Sequence, residues 1–515
     1  MWRKPSRNLS KMGRNDLLDI CSALMNSCTG VRAVAGGDRG AGPRHARDPF
    51  DSATAPPATS GFWRWFAGMA WLVLGVACLL LERNTPTGWG REGSLGMSLL
   101  ATLFGAWVFW RDGGCRITAV GVYNLAFALF VGFSGLYQVV KAWDNDPGIP
   151  LFSAIALCYF TQVTTWLLFW GGTVSRRLPS YAGQADGRTA GWAVKCGALL
   201  LLLAVAASMA TPDSLTMANP VGFVGVVLLA VGLLRGPAGH RTILCALVLL
   251  VAFSLYFTYL FNGFGRIVVG TLALALLVIS AHRDERPRTK LLVLAGAAPV
   301  LLFLAGLRAT DAQGSPVIAD EDGFGSAVSP LHSFAQLLHL NGMGLLPRGW
   351  GETFANTAVS LVPRAIWEDK PVGFGADLVT FLTPELVGTG HSAAALSHGE
   401  WLYNFGLLGL VLMIPVTGLA VRFIDRLLVW ASSSPLTTPY ALGVYAGAVI
   451  AAVGLFDLVW VGSFTYVVRG GGRLLALAAV ILLIGWRVSR AMPDHLVGRG
   501  VTQVARRARP LTRAR

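Results

Sequence analysis

Runs of mainly apolar residues long enough to cross a bilayer as helices recur along this chain. They fall at roughly 62–81, 95–110, 117–137, 150–171, 189–209, 218–234, 241–260, 265–281, 290–308, 403–423, 440–462 and 473–488. The pattern predicts an all-α polytopic membrane protein with about twelve transmembrane helices. The second, sixth and twelfth runs are short. Nothing in the first 50 residues resembles the apolar core of a signal peptide, so the run from Phe62 reads as an anchor.

The short polar breaks set an orientation, because cytoplasmic loops are enriched in Lys and Arg. Alternate breaks carry Arg111 and Arg116; Arg176, Arg177 and Arg188; Arg235 and Arg241; Arg283, Arg286, Arg288 and Lys290; Arg422 and Arg426. The others carry Arg83 and Arg91, Lys141, Arg266, and Arg469 with Arg473, so thirteen cations face six. The richer set is expected in the cytoplasm, with both termini. The predicted organisation is a disordered basic tail over 1–60, helices one to nine over 61–308, a large extracytoplasmic loop with short helices over 309–402, three helices over 403–488 and a basic tail over 489–515.

Composition sharpens this reading. Of 515 residues, 54% are hydrophobic and 13% charged, yet the net charge is +15. A soluble domain is typically about one quarter charged, and a disordered chain is polar. The positive balance is no nucleic-acid footprint. Residues 1–64 contribute +5 and residues 487–515 contribute +7, where cations fix orientation and meet anionic lipid. Cysteines 21, 28, 78, 115, 158, 196 and 245 have neither zinc-ligand spacing nor a disulfide pattern.

Charges are scarce within the spans, and a proton-coupled transporter would place carboxylates near the midplane. The exceptions gather at the outer boundary: Arg266, Arg308, Glu400, Asn404, Asp457 and Arg469. The loop above them holds four of the eight histidines (332, 339, 391 and 398), together with Arg348, Arg364 and Lys370. Residues Ser329 to Leu340 read as a capped helix with an apolar stripe of Leu331, Phe334, Leu337 and Leu338. Exposure expectations favour loop packing, with His332 and His339 on the wet face, over an interfacial helix that guides a lipid-linked substrate.

Between Pro363 and Pro371, Arg364 is suited to clamp a phosphate bidentately, and Trp367 to stack on a sugar. The bland alternative is an amphipathic loop with surface ion pairs. Glu400 and Asn404 share a helix face, and a carboxylate at a half-dry boundary suits a general base. The alternative there is a helix-entry cap with Trp401 and Tyr403 in the interfacial aromatic belt. Asp144-Asn145-Asp146 has a metal-binding form but is followed by Pro147-Gly148, which favours a turn.

The segments Pro363-Arg364-x-x-Trp367-x-Asp369-Lys370-Pro371 and Gly399-Glu400-x-x-Tyr403-Asn404-Phe405-Gly406-x-x-Gly409 resemble the oligosaccharide repeat-unit polymerases, the O-antigen polymerase family. Gly263-Phe264-Gly265-Arg266 is similar to that family's glycine-and-arginine turn, though a Gly-Ser-Arg-Gly form is more usual there. The resemblance spans residues 60 to 490. It implies a GT-C-like architecture in the bacterial inner membrane, and a glycosyltransferase joining undecaprenyl-diphosphate-linked oligosaccharides on its outer face without metal or other cofactor. It implies as partners the lipid-linked oligosaccharide, membrane lipid and a chain-length regulator, and no nucleic acid. Arg266 and Arg364 would then stabilise the diphosphate, with Arg348 or Arg469. Glu400, or else His398, would act as base. Trp367, Asp369, Lys370, Tyr403 and Asn404 would contact substrate. The alternatives are a ligase that moves finished glycan to another acceptor, and a flippase or transporter, which predicts internal repeats that the chain does not display.

Overall fold

A computed structural model describes residues 59–83, 90–141, 150–171, 185–210, 215–237, 242–261, 266–282, 287–310, 325–362, 366–367, 370–371, 373–387 and 392–491. Among these the chain is helical, with one isolated β-bridge, Ala185 to Leu436, and no strand. It is an all-α, membrane-embedded polytopic protein. Nine helices in the described residues are long and apolar enough to cross a bilayer, and Trp65–Leu80 and Ile267–Ala281 are shorter apolar helices. This follows from the solvent: within lipid each backbone N–H and C=O must be bonded inside the segment, and a helix does so.

In chain order the helices are α1 (Thr59–Arg83), α2 (Gly90–Arg111), α3 (Ala119–Phe127, continued through a π-helical segment Ala128–Phe133 into Ser134–Lys141) and α4 (Leu151–Thr165, then a π segment Trp166–Trp170). Next come α5 (Gly187–Ala210), α6 (Leu215–Arg235), α7 (Thr242–Leu260), α8 (Arg266–Ala281) and α9 (Arg288–Thr310). Among the described residues, four α-helices occupy the connection before the last spans: α10 (Gly325–Gly342), α11 (Glu352–Val359), α12 (Phe374–Leu382, followed by a 3₁₀ turn Pro384–Leu386) and α13 (Leu396–Phe405). The chain closes with α14 (Leu407–Ser433), α15 (Pro439–Trp460) and α16 (Ser463–Tyr466, a π segment Val467–Gly471, then Gly472–Ala491).

Helices α3 and α15 form the centre, with most of their side chains buried. Helix α7 presents Ile243, Leu244, Leu247, Leu250 and Val251 outward, as a lipid-facing helix does. Helices α5 and α6 pair most closely, because Gly197, Gly225 and Gly232 bring the two backbones together. A Cβ at any of them would lie 2.6–2.8 Å from the other helix's main chain, the small-residue contact typical of packing in lipid.

Alternate connections meet at one end of the bundle. There His282 bonds Tyr445 Oη (2.9 Å) and the Ile117 carbonyl (3.1 Å), and Arg235 donates to the carbonyls of His282 and Ser432 (both 3.0 Å). Lys290 bonds the Asp112 carbonyl, and Thr189 Oγ1 bonds that of Thr437. The other end carries the long connection.

Several boundaries differ from the apolar runs. The expected tenth span begins not at Tyr403 but after a break at Gly406, and it extends to Ser433. Arg422, Asp425 and Arg426 therefore lie within α14 rather than in a loop. Arg426 is exposed and the other two are half-buried and bonded: Arg422 donates to the Phe169 carbonyl (3.1 Å), and Asp425 accepts from the Ala119 N–H (3.0 Å) that opens α3. The twelfth helix begins ten residues before the expected position, at Ser463, and takes in Arg469 and Arg473. With these four cations removed from the loops, the asymmetry stands at eleven against four. Ser329 is no cap, since α10 starts at Gly325 and carries Pro330 inside it. Leu331, Phe334 and Leu337 are fully buried and Leu338 partly so, while His339 is exposed. Ser134 Oγ and Trp460 Nε1 bond the carbonyls of Val328 (2.7 Å) and Ala327 (3.2 Å), so α10 is seated among the spans.

Candidate functional site at the loop-bearing end

The site is built around the C-terminal turn of α13. A helix end leaves carbonyls without intrahelical partners, and here the segment 348–351 supplies donors for them. Arg348 Nη1 donates to the Leu402 carbonyl (3.2 Å), Gly349 N–H to that of Tyr403 and Trp350 N–H to that of Asn404 (both 3.1 Å). Arg348 Nη2 also bonds Asn341 Oδ1 at the end of α10 (2.7 Å). The guanidinium fits because position 406 has no side chain, and a Cβ there would lie 2.8 Å from it. Gly406 also has φ +65° and ψ −153°, a conformation close to exclusive to glycine. The sequence thus requires glycine twice over at the point where α13 turns into α14.

Glu400 lies one turn earlier and is 1% exposed. Its Oε2 accepts the Ser463 N–H (2.6 Å), and its Oε1 accepts the hydroxyls of Ser463 (2.7 Å) and Thr353 (3.3 Å). The carboxylate thereby caps the N-terminus of α16, where a negative group is favoured by the helix dipole. Gly462, at φ +122°, leaves space for it. Burial pushes the Glu400 carboxyl above its usual range, and the bonds from Ser463 and Thr353 oppose this. Asn404 completes the network: Nδ2 donates to Thr353 Oγ1 (2.6 Å) and to the Glu400 carbonyl (2.8 Å), and Oδ1 accepts the Gly351 N–H (2.9 Å). Thr357 Oγ1 lies 3.2 Å from Ser463 Oγ. One polar cluster therefore ties α11, α13 and the start of α16.

The other expected residues are dispersed around this cluster. His398 is buried against Phe334, with ring centroids 5.9 Å apart and no hydrogen bond to either ring nitrogen. Burial drops its pKa to about 3, so it is neutral. Tyr403 packs against Phe374 (5.5 Å), Phe381 (6.2 Å) and Gly349 and is largely buried. Lys370 donates to the carbonyls of Ser360 (2.7 Å) and Val362 (2.9 Å) and so caps the end of α11. Trp367 is half-exposed. Arg469, in the π segment, pairs with Asp457 Oδ1 at 2.6 Å. Arg266 opens α8, and its side chain lies outside the described residues. So do Arg364, Asp369, His391, the side chain of Arg308 and the Asp144–Asp146 turn.

Nothing in the sequence singles out Thr353, Thr357 and Ser463, because an isolated hydroxyl carries no charge or spacing signal. The four-residue interval between the two threonines, which aligns them on one face of α11, is the sign that was present. Nor does the sequence single out Asp377. It is half-buried on α12, and burial followed by the neighbouring Glu352 raises its pKa to about 6. Among the described residues no group of histidine, cysteine and carboxylate side chains could hold a metal.

No protein-family model, curated protein or solved structure matches this chain.

Proposed function

We propose that this protein is a polymerase of undecaprenyl-diphosphate-linked oligosaccharide repeat units in a bacterial inner membrane. In this reading the twelve apolar runs are twelve spans in a GT-C-like arrangement, both termini are cytoplasmic, and the loop-bearing end faces outward. The observation that carries it is the behaviour of the Gly399–Gly409 segment. Glu400, Tyr403, Asn404 and Gly406 each make a specific contact that docks the long connection onto the last spans, and the cations Arg348 and Arg469 lie around that junction.

The reaction is an attack by a hydroxyl oxygen of one lipid-linked unit on the anomeric carbon of the growing chain. The bond from that carbon to the diphosphate oxygen breaks, and the diphosphate leaves with the electron pair. Guanidinium groups suit that leaving group because they stay charged and fork onto phosphate oxygens. Arg266 and Arg364 take this role here. Glu400 already accepts three protein hydrogen bonds, so it is a positioning residue in this scheme. The hydroxyl proton passes to Asp377, a partly exposed carboxylate tuned close to neutral pH.

Replacing Arg364 or Arg266 with Ala, in cells where the variant is verified in the membrane, should leave surface glycan as single units. Unchanged long chains would remove these residues from the mechanism. Long chains trapped on undecaprenyl diphosphate would instead favour a ligase.

A further inference from the structure

A second cationic cluster lies inside the bundle at the loop-bearing end, between α6, α7, α15 and α16. Arg473 is 1% exposed, and its Nη1 makes no hydrogen bond. Its guanidinium carbon lies 3.9 Å from the centroid of the Phe223 ring. It is within electrostatic reach of Arg469, Asp457 and Tyr256. Asp457 is buried and gives Oδ1 to Arg469, while its Oδ2 has no partner. The Tyr256 hydroxyl is also buried, beside the Asn219 side chain. Two guanidiniums thus lie near one carboxylate that pairs with Arg469 alone, and Arg473 Nη1 and Asp457 Oδ2 are left unsatisfied where each would ordinarily be paired.

The helix that carries the arginines leaves room beside them. Gly470 is buried, yet a Cβ built on it would meet no atom within 4 Å. Gly470 closes the π segment less than one turn before Arg473, so this open space lies on the arginine-bearing stretch of α16. The π segment that places Arg469 here is a helix form enriched at functional sites. Arg469 is 27% exposed and forms the outer edge of the cluster.

We propose that the space beside Gly470 is a seat for a phosphate group carried on a polyprenyl lipid, held by Arg473 and Arg469. Asp457 acts as the internal counter-ion that releases Arg469 when phosphate arrives. Cationic donors of fork geometry, a surplus of positive charge and an apolar surround select a phosphate. The lipid source rests on the polymerase reading, which calls for two lipid-linked substrates at once; the phosphate chemistry stands without it.

The test uses the full chain in nanodiscs of phosphatidylcholine, with binding followed by tryptophan fluorescence. The probes are undecaprenyl phosphate, inorganic pyrophosphate and phosphatidylglycerol. Undecaprenyl phosphate should bind saturably. Arg473→Gln and Gly470→Leu should each weaken it by about tenfold or more, and Asp457→Asn should tighten it several-fold by removing the competitor. A purely structural ion pair makes the opposite prediction for Asp457→Asn, so weakened or unchanged binding in that folded variant overturns the proposal. Unchanged binding in Gly470→Leu does so as well. Equal binding of pyrophosphate with the same variant pattern upholds the phosphate seat and assigns it to a soluble ligand, and equal binding of phosphatidylglycerol assigns it to bulk lipid. Normal lipid-phosphate binding alongside unimpaired glycan elongation in a strain lacking the protein would retire the polymerase reading and leave the seat intact.

Discussion

Glu400 receives three hydrogen bonds and is buried, so the question at the scale of the residue is whether its charge or its shape matters. A glutamine in the same place can still accept the Ser463 N–H through its carbonyl. Its amide can donate to the hydroxyl oxygens of Ser463 and Thr353, which rotate to accept. An alanine leaves the Ser463 N–H and the hydroxyls of Ser463 and Thr353 with fewer partners in a dry site, at a cost of about 1–3 kcal/mol for each buried donor left without one. Glu400→Gln is therefore expected to keep both thermal stability and glycan chain length close to wild type, while Glu400→Ala loses both. Melting curves of the purified variants and surface-glycan profiles check this. A stable glutamine variant devoid of chains would make Glu400 the base after all.

Asp377 gives the pH dependence. Its carboxyl is raised from 3.8 to about 6 by burial first and Glu352 second. Between those values the folded chain holds a proton that the unfolded chain has released, so stability falls as pH rises through that window. Melting temperature followed from pH 4 to 7 should show this decline, and Asp377→Asn should flatten it.

At the scale of the element, the run from Leu402 to Leu412 reads as one uninterrupted apolar helix entry, yet it contains a helix end and a helix start. The break is set by Arg348 and by the donors of residues 349 and 350, all more than fifty positions away in sequence. Only Gly406 itself hinted at it, and glycine is frequent in membrane helices without breaking them. The reverse error arose at Gly470-Gly471-Gly472, which reads as a loop but is helical, with Arg469 and Arg473 inside it. Apolar length revealed that there are spans, whereas their ends depend on tertiary partners. Likewise Glu400 and Asn404 were legible as a pair on one helix face, while the hydroxyls completing their cluster were not. Gly406→Ala tests the break. It introduces a Cβ both into a glycine-only conformation and against Arg348, and should destabilise the protein by about 1–3 kcal/mol. It should also free residues 343–351 for cleavage by a protease. A variant as resistant as wild type would mean that α13 and α14 tolerate fusion into one helix.

At the scale of the molecule, the two ends of the bundle are built differently. One is closed by charges bonded to carbonyls: Arg235 on His282 and Ser432, Lys290 on Asp112, and Arg422 on Phe169. The other bears the long connection, with exposed apolar residues that include Leu345, Trp350 and Ile366. Cations bonded at helix C-termini satisfy the orphan carbonyls there, so the cation-rich end has a structural reason for its charge besides orientation. That makes the charge asymmetry an incomplete guide to sidedness, and a direct measurement is needed. Cysteine placed at Trp350, 79% exposed, should react with a membrane-impermeant maleimide in intact spheroplasts. Cysteine placed at the exposed Arg188, beside the N-terminus of α5, should react only after lysis. The comparison is made in a background where the native cysteines are serine. The reverse pattern would put the long connection in the cytoplasm, out of reach of any glycan displayed on the outer face, and would end the polymerase reading whatever the arginines bind.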